Sequence, residues 1–191
     1  MPSFVFQKGS LLNTKIRLSS TSDEYEIHTR LPGSSTQLFR LDSESKSEAE
    51  AAHRTPVASI NRNMFLPDTV SFSGKTERIS KWFKQGTLDG SPASILHLSD
   101  SESPTFLADH DEYNLALFLP DKKTILAHWQ PPRSESPHEL ILVISPDVDA
   151  KNYIEILLAF LYQTEKLRAR TTPIDMTTAR SAGVGSGIGA H

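Results

Sequence analysis

The chain has 191 residues, the length of one ordinary domain plus a tail, and only 37% of them are hydrophobic, so some segments add nothing to a core. Twenty Lys and Arg against 23 Asp and Glu leave a formal charge of −3, which excludes a general attraction to nucleic acid or to an anionic membrane and makes any anion site a local patch. Cysteine is absent, which excludes disulfides, a thiolate nucleophile, iron–sulfur clusters and cysteine zinc sites and fits an intracellular, cytoplasmic protein.

The first residues, Met1 to Lys8, carry no charged segment followed by an apolar run, so they read as a strand over 3–7 and not as a secretory signal. Leu12, Thr14, Ile16 and Leu18 alternate with Asn13, Lys15 and Arg17, the pattern of a strand with one face on a core and one on water. Tyr25, Ile27 and Thr29 repeat it against Glu24, Glu26, His28 and Arg30. Further strands are expected at 36–41, 56–62, 68–73, 75–79, 94–98, 104–109, 113–119, 122–130 and 139–144, which makes 12 in all. Two acidic, serine-rich intervals, 42–50 and 99–104, together with a shorter one at 133–137, cannot bury enough apolar area to offset ordering and read as mobile hairpin loops. Serines followed by acids there also fit acidophilic kinase sites.

Residues 150–170 differ in kind. They are rich in helix formers, lack Gly and Pro, follow Asp147 and Asp149, and end in the basic residues Lys166, Arg168 and Arg170, which complement a helix C-terminus. Nine of the ten residues from Tyr153 to Tyr162 are apolar, so this helix is apolar on nearly every face and should be surrounded by protein. Its apolar stretch, Tyr153 to Tyr162, is too short to span a bilayer. The sequence therefore divides into a domain over 1–170 and a Gly-, Ala- and Ser-rich tail over 171–191 that is expected to be disordered.

A barrel-sized set of antiparallel strands followed by one hydrophobic helix packs economically if the sheet closes and the helix threads it. The strand Glu139–Ile144, the Pro146-Asp147 pair and the stretch Ile154–Arg168 resemble the C-terminal signature of an uncharacterised fungal domain family related to the tubby C-terminal domain, plant LURP-one-like proteins and phospholipid scramblases. The resemblance extends over 3–170, with Phe4–Phe6 and Asn13–Ile16 similar to a first hairpin and Gly74–Phe83 similar to a small strand and turn beside the barrel. Near residues 109–115 the chain keeps Tyr113 but lacks the Gly and Trp usual in that family. The resemblance implies a closed, 12-stranded antiparallel barrel around a central helix, and it brings no catalytic residues, metal or cofactor with it.

The chemistry-bearing residues point the same way. The seven histidines form no His-Glu-x-x-His pattern, and Asp109-His110-Asp111-Glu112, the one dense ligand-like cluster, reads as an acidic turn. Gly183–Gly187 contains serine and glycines outside any strand–turn–helix context, so it makes neither a nucleophile elbow nor a phosphate loop. The best anion patch is Gly74–Lys84, where Lys75, Arg78, Lys81 and Lys84 accompany Trp82 and Phe83. Such a patch can hold a phosphorylated head group while the aromatic enters the lipid interface; otherwise Trp82 and Phe83 plug a barrel end and the charges solvate a short helix. The function expected is a non-catalytic intracellular binding module, peripheral at membranes, that recognises phosphoinositide or other anionic lipid head groups. A protein-interaction scaffold is the alternative, followed by an enzyme or small-ligand carrier with a pocket at a barrel mouth.

Overall fold

The computed structural model describes residues 1–7, 11–30, 35–41, 55–62, 66–72, 74–98, 104–121, 123–130 and 140–171. The three acidic serine-rich intervals, the Gly183–Gly187 run and the tail after 171 lie outside them, as do the side chains of Arg168 and Arg170.

Thirteen strands form one antiparallel sheet: β1 (Ser3–Phe6), β2 (Thr14–Leu18), β3 (Glu24–Arg30), β4 (Ser35–Leu41), β5 (Ala58–Asn61), β6 (Thr69–Phe72), β7 (Lys75–Arg78), β8 (Phe83–Leu88), β9 (Ser91–Leu96), β10 (Thr105–Ala108), β11 (Ala116–Phe118), β12 (Ile125–Gln130) and β13 (Leu140–Ile144). Two helices accompany them, the four-residue α1 (Ile79–Trp82) and the long α2 (Tyr153–Thr171), which is entered through a 3₁₀ turn at Ala150–Asn152. Consecutive strands pair except β7 and β8, and β1 also pairs with β13, giving the order β7-β6-β5-β4-β3-β2-β1-β13-β12-β11-β10-β9-β8. The expected count of 12 is thus corrected to 13. The added strand is β8, β7 belongs to the sheet instead of packing beside it, and the strand expected at 94–98 begins three residues earlier.

Local chemistry accounts for these elements. In β2 the burial alternates strictly, with Thr14, Ile16 and Leu18 inward and Lys15 and Arg17 exposed. Between β8 and β9, Asp89 and Gly90 both adopt positive φ, 53° and 79°, the two-residue geometry whose twist suits a hairpin. Asp149 caps the entry to the helix by accepting a hydrogen bond from the Lys151 backbone N–H at 3.2 Å.

The core settles where α2 lies. Ile156, Leu157, Leu158, Ala159 and Phe160 are each 0% exposed. Five consecutive residues at about 100° each sweep the whole circumference of a helix, so this stretch is enclosed on every side. It shares one core cluster with residues from all around the sheet, among them Phe4, Ile16, Ile27, Leu38, Ile60, Leu96, Leu107 and Leu142. Trp129 stands edge-on to Phe160 at 5.5 Å and donates its indole N–H to Thr164 Oγ1 at 3.3 Å.

The ends of the sheet need separate attention. Every neighbouring pair is antiparallel, so an odd number of strands leaves the two edge strands, β7 and β8, running in the same direction. Parallel strands can lie side by side only when a crossover of about a dozen or more residues joins them, and α1 supplies four. Hence β8 starts where β7 stops, and no strand pairing joins the two edges among the described residues. The intervening α1 is held on one flank by the Ile79 N–H donating to the Asp68 carbonyl at 2.9 Å. On its other flank the His97 N–H donates to the Trp82 carbonyl at 3.3 Å.

Candidate functional site at the sheet seam

The basic segment 75–84 is the seam itself: β7, α1 and the start of β8. Ile79 and Trp82, three apart on α1, share a face and are buried, which leaves Ser80 and Lys81 outside. Trp82 is 1% exposed, and its ring lies 6.0 Å from Phe72 and 5.8 Å from Phe83. The role proposed for Trp82 at a lipid interface therefore fails, because its surface is already spent on the core; its indole N–H is buried without a hydrogen-bond partner.

The register sorts the four cations. Residues directly opposite in an antiparallel pair share a face. Phe83 and Leu96 oppose each other in the core, so the next pair, Lys84 and Ile95, points outward. Val70 and Phe72 face the core, so Thr69 points outward and takes Arg78, its partner, with it. Arg78, Lys81 and Lys84 thus gather on the outer side of α1, all exposed, whereas Lys75 opposes Phe72 at the far end of β7 and stands apart. Among the described residues none of these four forms an ion pair. The only acid within 75–84 is Glu77, on the opposite face from Arg78.

Two further clusters escaped the sequence reading. At the C-terminal part of α2, Arg62 and Glu165 form an ion pair, and the Arg62 guanidinium and the Lys166 ammonium lie 5.6 and 5.9 Å from the Tyr162 ring centre. Burial raises the Tyr162 hydroxyl above its ordinary value, Asp68 adds to the effect, and Arg62 opposes it. On the outer face of β11 and β12, Tyr113 stacks on His110 at 4.9 Å and meets His128 at 4.1 Å. A hydrogen bond to Glu112 raises the Tyr113 hydroxyl. Burial lowers His128, as does His110, against the opposing pull of Glu112. His110 Nδ1 accepts the Glu112 backbone N–H at 3.2 Å, which leaves the proton of the neutral ring on Nε2. The turn 109–112 is therefore organised by stacking and a backbone hydrogen bond, and the described residues hold no group of three metal-ligating side chains. No helix among them is long and apolar enough to cross a membrane.

A sheet wrapped around a hydrophobic helix, with lone cations gathered at its seam, defines a β-rich domain class and leaves the chemistry to its surface. Within that class the chain belongs to DUF6593, a family of unknown function, which it matches over residues 9–170. No curated protein and no solved structure matches the chain.

Proposed function

We propose that this domain is a tubby-like barrel that works as a non-catalytic binding module for anionic lipid head groups, with Arg78, Lys81 and Lys84 as the contact residues and Lys75 at the margin. In this reading β7, α1 and β8 act as one interrupted strand, so 12 strand positions, an even number, ring α2 as an antiparallel barrel whose seam keeps the outer edges of β7 and β8 open. The filled interior favours a surface site over a lumen, since the residues that would line a cavity are occupied by Ile156–Phe160.

One observation carries the proposal: three exposed cations, without ion-pair partners among the described residues, stand on the outer side of a seam whose base, Ile79, Trp82 and Phe83, is fixed in the core. Unpaired ammonium and guanidinium groups held by a rigid base bind phosphate oxygens without first breaking internal salt bridges, and they lose little backbone freedom in doing so. The net charge of −3 makes approach through any other face unfavourable and gives the domain an orientation.

Cosedimentation with vesicles, with and without phosphoinositide, tests this at low and near-physiological salt. Each basic residue near an anionic surface contributes about 1 kcal/mol, so removing two weakens binding by about thirtyfold. The Lys81→Glu/Lys84→Glu variant should lose at least that much, and salt should weaken the wild type. Equal, salt-insensitive binding by both proteins, or none by either, rejects the proposal.

A further inference from the structure

The seam has a second property that lies in its backbone. β8 is paired on one side only, with β9; away from β9 the Phe83 N–H donates to the Ile79 carbonyl of α1, and among the described residues Lys84 to Leu88 make no hydrogen bond on that side. The register shows which groups face that open side. His97 donates to the Trp82 carbonyl, so residues 82 and 97 form a hydrogen-bonded pair, and by alternation so do Lys84 with Ile95, Gly86 with Ala93, and Leu88 with Ser91. The N–H and C=O groups of Gln85 and Thr87, and the Phe83 C=O, therefore point to the free edge, the Phe83 N–H being taken by Ile79, and Gln85 and Thr87 are exposed there. Pro92 agrees with this phase: it opposes Thr87 in a non-hydrogen-bonded pair, where the ladder asks for no N–H from it.

We propose that the free edge of β8 accepts an added strand from an extended acidic peptide. Backbone affinity comes from the donors and acceptors of residues 85 and 87 with the carbonyl of residue 83, and side chains set the sequence. Lys84 is the only charged residue on β8, and Lys81 stands just before it, so the added strand carries an acid opposite Lys84. Gly86 comes next on the same outer row. A Cβ at Gly86 would lie 2.6 Å from Ile95 Cδ1, so the Ile95 side chain lies across the glycine toward the edge, and an aliphatic residue opposite Gly86 meets it. Leu88 extends that apolar row. For an antiparallel strand the motif is aliphatic-x-aliphatic-x-acid. A second copy of this chain is a poorer occupant, because β8 paired with itself brings two Lys84 ammonium groups onto one row. The inference does not rest on lipid binding: Lys84 would serve either ligand, but the main-chain groups of the edge are ones that no head group needs.

The test is fluorescence anisotropy with the full chain and a fluorescein-labelled peptide, Ser-Val-Thr-Val-Thr-Glu-Glu. Three changes should each weaken binding about tenfold or more: Lys in place of both Glu residues, N-methylation of the peptide amides that face β8, and Lys84→Glu in the protein. The Lys84→Glu protein should in turn prefer the lysine peptide. Thr87→Pro removes an edge-facing N–H and no bond to β9, and should weaken binding about fivefold. If that variant melts early, the N-methylated peptide makes the same measurement on unaltered protein. Hydrogen exchange on binding should slow at Gln85 and Thr87. Absence of binding, binding indifferent to N-methylation, or protection confined to other strands overturns the proposal. Vesicle binding lost in Lys81→Glu/Lys84→Glu while N-methylation still matters would keep the two sites separate.

Discussion

Enclosure of α2 makes Phe160 the most exacting position to perturb. It is fully buried, and its ring stands edge-on to Trp129 at 5.5 Å. Phe160→Ala should cost about 3–5 kcal/mol through lost burial and the cavity left behind, and for a domain of this size each kcal/mol lowers Tm by about 2–4 °C. Phe160→Asp adds a carboxyl with no partner. Burial raises such a group by about 3–5 pK units, which at pH 7 costs a further ~4 kcal/mol, the cost of protonating at pH 7 a group whose unfolded value is about 3.9. The total, roughly 7–9 kcal/mol, is comparable with the whole stability of an ordinary domain of about 5–15 kcal/mol, so Phe160→Asp should not fold at neutral pH. The second component depends on pH in a defined direction. A carboxyl whose folded pKa is raised destabilises fully above that pKa and ceases to do so below the unfolded value of about 3.9. Phe160→Asp should therefore regain stability relative to Phe160→Asn as the pH falls toward 4, whereas Phe160→Ala should track the wild type. Urea unfolding followed by circular dichroism at pH 7 and pH 4 reads all three. A Phe160→Asp protein that unfolds cooperatively at pH 7 within about 3 kcal/mol of wild type would refute the enclosure of α2.

Other positions give independent checks. Trp82→Phe should cost less than about 1.5 kcal/mol because it removes an unpaired buried N–H along with part of the ring, while Trp82→Ala should cost about 3–5 kcal/mol; urea midpoints distinguish them. His128 should titrate below the ordinary histidine value in an NMR pH series; Glu112→Gln should lower it further and His110→Ala should raise it. Because its folded pKa is depressed, the stability linked to His128 is present above the ordinary histidine pKa and is lost as the pH falls below it, and His128→Phe should remove that loss. Asp149 is held below its ordinary value by the hydrogen bond from the Lys151 backbone, so Asp149→Ala should lower Tm at pH 7, with the difference fading below the carboxylate range, 3.8 in the unfolded chain. Lys84→Gln should weaken vesicle binding and leave the protein monodisperse in light scattering; oligomers with undiminished vesicle binding would assign Lys84 to edge protection alone.

Strands with one wet face were legible because alternation is written into them, as in Thr14 to Leu18. The long helix was legible because five core-facing residues in succession leave no polar stripe. β8 was not, since an edge strand with Lys84, Gln85, Gly86 and Thr87 in its middle has only one row to bury. Its Asp89-Gly90 turn was nevertheless a usable hairpin signal. The seam cations could be found because they are contiguous. Trp82 misled because residue type alone does not choose a face; its spacing of three from Ile79 on a short helix does. Tyr113 with His128, and Arg62 with Glu165, meet only through strand register and helix placement, 15 and 103 positions apart in the chain, and no local pattern marks them.

The seam joins two physical requirements that pull the same side chains in one direction. A sheet whose first and last edges run parallel cannot close them with a short connection, so two strand edges stay unpaired, and unpaired edges invite aggregation unless charge or irregular backbone blunts them. Lys84 on β8, with Lys75 and Arg78 on β7, meets that requirement before any ligand is considered. Edge protection, however, needs charge of either sign and is served equally by ion-paired residues. Lysines and an arginine without ion-pair partners among the described residues, all of one sign, in a chain whose net charge is negative, go beyond what protection asks. That excess is the physical reason to seek an acidic ligand at the seam. The backbone phase of Gln85 and Thr87 then separates a head group, which needs only the charges, from a peptide strand, which needs the edge as well.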